Sequence, residues 1–79
     1  LGDVLLELVE YESSGRERER LDVSDPGSVH LGLECDDVRA FYDDLDDEVT
    51  VVNEPVTTES DTTILFVRDP EGNLVEVVS

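Results

Sequence analysis

The chain has 79 residues and a formal charge of −17, built from 22 acids against five arginines with no lysine. That length makes one small domain at most, and chains this short bury only about 60% of their unfolded surface, so support from a partner or an ion is expected. The charge repels nucleic-acid phosphates and anionic membranes and excludes both as partners, while the single cysteine, Cys35, excludes disulfides and Cys-rich zinc patterns and fits a reducing, cytoplasmic setting.

No apolar run approaches the ~20 residues that span a bilayer, and the N-terminus lacks the basic, apolar, small-residue order of a signal peptide, so a soluble chain is expected. It starts at Leu1 inside a strand-like segment, which reads as a beginning that is trimmed or missing. Charge this dense suggests disorder when hydrophobicity is low. Here the apolar residues are patterned, and a folded domain whose charge is tolerated by the solvent is the better reading.

Residues 3–11 have the composition of a strand, with Val4, Leu6 and Leu8 on one face and Leu5, Glu7 and Val9 on the other. Both faces read as at least partly buried. From Glu12 to Gly27 the pattern dissolves into Ser-Ser-Gly, an alternating Arg-Glu run at 16–20 and Asp-Pro-Gly, which is a connection with room for a short strand at 19–23.

The segment 29–35 alternates again. Val29, Leu31, Leu33 and Cys35 share one face, and His30, Gly32 and Glu34 share the other. Asp36 reads as an N-cap for a helix over 37–48, whose stripe is Val38, Phe41, Tyr42 and Leu45 at i, i+3, i+4 and i+7. Asp43, Asp44, Asp46, Asp47 and Glu48 crowd its C-terminal end. Each acid there costs about 0.3–1 kcal/mol at low salt, and much less when the Debye length falls to about 3 Å at 1 M. The lysine-free, Asp-rich composition resembles proteins of salt-in halophiles; the plainer alternative is an acidic domain with a solvated helix face.

Three short strands are expected after the helix, at 49–53, 62–68 and 74–78. The connection 54–61 is polar, and Asp69-Pro70-Glu71-Gly72-Asn73 has the composition of a tight turn between antiparallel neighbours. Residues 28–79 therefore read as β-α-β-β-β, an α+β module in which one helix covers one sheet face. On this pattern Val29, Leu31, Leu33, Val75 and Val77 pack against Phe41 and Leu45. The other face receives His30, Gly32, Leu74, Glu76 and Val78, so His30 and Glu76 point the same way and, on neighbouring strands, can approach one divalent ion. A lone strand histidine is nonetheless more often structural or exposed, and a strand glutamate more often a solvated edge residue.

The stretch from Ser28 to Val38, followed by Glu54-Pro55 and by Phe66-Val67-Arg68-Asp69-Pro70-Glu71-Gly72-Asn73-Leu74-Val75-Glu76-Val77, resembles the second half of a vicinal-oxygen-chelate protein, the superfamily of glyoxalases, bleomycin-resistance proteins and extradiol dioxygenases. It spans about two thirds of the chain, and Arg-Asp-Pro-Glu-Gly-Asn-Leu-Val-Glu is its most specific part. Residues 4–9 resemble the closing strand of a preceding module, which divides the chain into 1–27, the end of a first module, and 28–79, a βαβββ module.

The resemblance implies a metal held by His30 and Glu76, with Glu7 as the counterpart of Glu76. The metal would be divalent zinc, nickel, manganese or iron, with Glu76 as a ligand able to act as base. Family members commonly use two His and two Glu from paired modules, and here the first-module His is absent. A homodimer in which each copy supplies His30 and Glu76 repairs the set, as does a half contributed by residues outside the chain. A metal-dependent glyoxalase-like lyase or isomerase acting on a small molecule is the leading expectation. The alternatives are a metal-free, bleomycin-resistance-like binding module and a truncated half-domain that only dimerises. Cys35 lies on the helix-facing side and reads as a buried thiol rather than a nucleophile.

Overall fold

A computed structural model describes residues 3–17 and 19–79. The elements are β1 (Leu31–Glu34), α1 (Val38–Asp43), β2 (Thr50–Val51), β3 (Val56–Thr57), β4 (Thr63–Arg68) and β5 (Leu74–Val78), in one mixed sheet of order β1-β5-β4-β2, with β3 also on β4. The β1 and β5 strands run parallel, with Gly32 beside Glu76, and β4 and β5 run antiparallel, with Phe66 opposite Glu76. This is the βαβββ module read from the sequence, with one further short strand in the polar 54–61 connection.

The β4–β5 pair dominates because its turn is specified side chain by side chain. Pro70 occupies the second position of a turn closed by the Gly72 N–H donating to the Asp69 carbonyl at 2.9 Å, and Gly72 adopts φ 84°, a left-handed backbone that favours glycine. The Asp69 carboxylate accepts from the Glu71 N–H at 3.0 Å, the Asn73 N–H at 2.8 Å and the Asn73 side-chain amide at 3.0 Å.

Helix α1 is shorter than the expected span of 37–48, and its N-cap is Asp37 rather than Asp36, accepting from the Ala40 N–H at 3.2 Å. The acidic C-terminal stretch accounts for the early stop. No basic residue offsets the helix dipole in the last turn, and the Asp46 carboxylate takes the Glu48 N–H at 2.8 Å, in competition with helical bonding.

One face of the sheet and the helix enclose Val38, Leu65, Val67 and Val77, with Cys35, Tyr42, Leu45, Val49 and Val75 packed around them. Four expected core members fall outside this cluster, one of them Leu33, which is half-buried on β1. Phe41 is 39% exposed, since it lies about 60° round the helix from Val38 and flanks the contact. Leu31 is 38% exposed on the outermost strand, and Val29, which precedes β1, is 85% exposed. The short helix sits over β4 and β5, so the side chains of β1 are left at the margin.

The expected strand at 49–53 keeps only two ladder residues. Val52 still donates to the Phe66 carbonyl at 2.9 Å, and then the Asn53 side chain replaces backbone by accepting the Phe66 N–H at 3.1 Å. Pro55 has no N–H to offer, and the pairing to β4 resumes at β3 with the register slipped by two residues.

The N-terminal expectation is corrected. Residues 3–11 form no strand, and Val4, Leu5, Leu8, Val9 and Tyr11 are all exposed, between 59% and 89%. A strand that is apolar on both sides needs a ladder partner and cover on two faces, and among the described residues it has neither. The short strand at 19–23 is replaced by a turn in which Asp25 N–H donates to the Asp22 carbonyl at 3.0 Å and the Asp25 carboxylate accepts the Asp22 N–H at 2.7 Å. Arg18 of the Arg-Glu run at 16–20 lies outside the described residues.

Candidate functional site

The helix-free face of the sheet carries His30 and Glu76. Glu76 is the central residue of β5, and strand alternation together with the register puts Gly32 of β1 and Phe66 of β4 on the same face at its two sides. His30 stands immediately before β1, two residues from Gly32, and so shares that face. Its imidazole reaches diagonally across, and the Nε2–H donates to Glu76 Oε1 at 3.0 Å. Both side chains are about a quarter exposed, at 26% and 25%. The His30 ring also meets the Phe66 ring in a T-shaped contact, with centroids 5.2 Å apart and planes at 73°.

Gly32 leaves the flank of Glu76 open. A Cβ built there would meet nothing within 4 Å. On the other side, Arg68 is a cation of the same face whose guanidinium is already engaged: Nη1–H donates to the Gly72 carbonyl at 2.7 Å and Nη2–H to the Leu21 carbonyl at 3.4 Å. Arg68 therefore fastens the β4–β5 turn and the incoming loop. Leu74, in the same row, is 5% exposed and walls a small cavity with Leu21 and Arg68.

Of the three residues expected to form a metal set, two come together and one does not. Glu7 lies exposed in the N-terminal segment, and no group of three or more His, Cys, Asp or Glu is gathered among the described residues. The described chain thus presents a two-donor site. The pair fits a divalent ion in donor chemistry, imidazole nitrogen with carboxylate oxygen. It also fits in spacing, because bonds of about 2.0–2.2 Å to adjacent ligands set those ligands about 3 Å apart. Cys35 is half-buried against the core cluster on the opposite face, away from this pair.

Phe66 is the site residue that sequence reasoning missed. It appeared there only within the Phe66-to-Val77 motif, with no role attached. The alternation of Ile64, Phe66 and Arg68 was the available signal, since it puts Phe66 on the Glu76 face once β4 is aligned with β5.

Residues 1–77 match the Glyoxalase/Bleomycin resistance protein/Dioxygenase superfamily. The chain belongs to that superfamily. A solved structure of a protein of unknown function from Agrobacterium tumefaciens str. C58 is similar in fold, with a TM-score of 0.58 and 20% identity over 77% of this chain. The alignment covers 48% of that protein, so the chain spans about half the length of this neighbour. No curated protein matches the chain at a significant level. Among the described residues no helix is long and apolar enough to cross a membrane.

Proposed function

We propose that the module supplies half of the metal site of a glyoxalase-like lyase or isomerase acting on a small molecule. The observation that carries this reading is the convergence of His30 and Glu76, 46 residues apart in sequence, at 3.0 Å on a sheet face that no helix covers. With its proton on Nδ1 instead of Nε2, His30 offers Nε2 as one ligand atom beside Glu76 Oε1, and the ion they would hold is divalent zinc, nickel, manganese or iron. Such an ion, when bound, supplies Lewis-acid stabilisation of the negative charge that develops on a substrate oxygen. The chain's own contributions are then separable. His30 anchors. Glu76 is both ligand and proton acceptor, its second oxygen Oε2 being the atom left to take a substrate proton.

Two donors leave the set incomplete, and a homodimer in which each copy presents His30 and Glu76 completes it, with Glu7 as a further candidate ligand. Working conditions of high salt follow from the charge of −17, because screening lowers the repulsion between two such copies. A reducing cytoplasm suits the free thiol of Cys35.

Metal analysis of protein purified in high salt without chelators tests the reading, alongside His30→Ala and Glu76→Ala. Stoichiometric metal in the wild type and loss in both variants is the expected result. A metal-free wild type sinks the lyase reading, and metal retained in both variants sinks this site.

A second reading has its own support. Without an ion, His30 Nε2 and Glu76 Oε1 already pair with each other, and with Phe66 beside them and Gly32 leaving open space, the face suits a bleomycin-resistance-like module that binds a ligand without catalysis. Ligand protection of the sheet amides in metal-free protein, with no turnover, is the result that favours it.

A further inference from the structure

Among the described residues the His30 imidazole has one hydrogen bond and one ring contact. Its Nε2–H bond to Glu76 is a quarter exposed, so water competes for both partners. An imidazole on a strand end has several staggered χ1 choices and a broad χ2, and a single solvent-accessible hydrogen bond selects weakly among them. The second contact is the ring of Phe66. Phe66 stands two strands away from β1, a backbone separation of about 10 Å, yet the ring centroids are 5.2 Å apart. The two side chains therefore lean toward each other across β5 until the rings meet on the face that holds Glu76. The T-shaped angle of 73° is the arrangement that the ring quadrupoles favour.

Phe66 is itself held from both sides. Its N–H donates to Asn53 Oδ1 at 3.1 Å, its carbonyl accepts from Val52 N–H at 2.9 Å, and it is in register with Glu76 on β5. The ring that stops the imidazole is thus mounted on the same ladder position as the carboxylate that the imidazole must address.

We infer that Phe66 is a positioning residue: its ring fixes the His30 imidazole in the orientation that directs Nε2 at Glu76, and so pre-sets the donor spacing of the pair. The metal consequence of this role rests on the reading of His30 and Glu76 as ligands; the orientation itself does not.

Because His30 is the single histidine, its ring signals in a nitrogen–proton correlation spectrum are unambiguous. Spectra at high salt and alkaline pH are compared for the wild-type 79-residue chain, Phe66→Leu and Phe66→Tyr. The wild type shows a His30–Phe66 ring-to-ring nuclear Overhauser effect and one dominant tautomer protonated at Nε2. Phe66→Leu averages the two tautomers, and Phe66→Tyr restores the single one. In a parallel nickel titration, Phe66→Leu weakens binding about 10-fold, the scale on which groups orienting a ligand usually act, and Phe66→Tyr does not.

A wild type lacking the ring-to-ring effect, or a folded Phe66→Leu with the wild-type tautomer ratio, overturns the inference. If Phe66→Leu loses the dispersed amide spectrum of a folded chain, the wild-type contact and the Tyr variant decide. A wild type that binds no nickel counts against the metal reading instead, while the tautomer comparison still decides the role of Phe66.

Discussion

Residues 3–11 and residues 63–78 are built from similar material, short runs of Val and Leu with alternating faces, and they end up in opposite conditions. In the second region Leu65 is fully buried and Val77 is 4% exposed, while in the first Leu5 and Leu8 are 89% and 87% exposed. The difference is not propensity. Strands β4 and β5 are joined by a turn that brings each its ladder partner within a few residues, and α1 then covers one side. Among the described residues the N-terminal run has no strand beside it with which to pair. An apolar strand pattern is a demand for a partner, and only one of the two regions finds it among the described residues.

The largest test of this contrast is Leu65→Ala, expected to cost about 2–5 kcal/mol. In a domain this small that removes most or all of the folded population in a denaturant titration at high salt. A loss below about 1 kcal/mol would mean that the sheet is not the core it forms here. Next is Gly72→Ala, expected to cost about 1–2 kcal/mol because the turn needs φ 84°, whereas Gly15→Ala in the N-terminal region, with no neighbour within 4 Å, is expected to stay within about 0.5 kcal/mol. Equal effects at the two glycines would remove the distinction between a specified turn and an open segment. The smallest effect belongs to Leu8→Ala, also within about 0.5 kcal/mol when measured on dilute protein. If its cost rises with protein concentration, the segment acquires its cover from a second copy, and the contrast describes the single chain only.

How much of this could be read from residues alone follows the same division. The strands β4 and β5, the turn between them and the helix stripe of Val38, Tyr42 and Leu45 were legible because each is set by spacing and turn chemistry within a few residues. Alternation also sufficed to put His30 and Glu76 on one face. The end of β2 was not legible, since it depends on the Asn53 side chain displacing a backbone group from the ladder with Phe66. The early end of α1 needed a judgement of how far an acidic tail competes with helical bonding. The strand at residues 3–11 was misread because its local pattern is genuine and its failure is non-local. Phe66 was missed for a related reason: its meeting with His30 spans three strands and becomes visible only when the registers of β1, β5 and β4 are known together.

The open position at Gly32 separates two properties that usually constrain each other. A side chain added there would extend into unoccupied space beside Glu76, on the face opposite Leu65 and Val77, with φ outside the left-handed region. The sheet is indifferent to what stands at this point, while anything approaching the carboxylate from the β1 edge is not. If the face binds a small molecule as proposed, residue 32 is where selectivity for its shape would change without drawing on the limited stability of so small a fold.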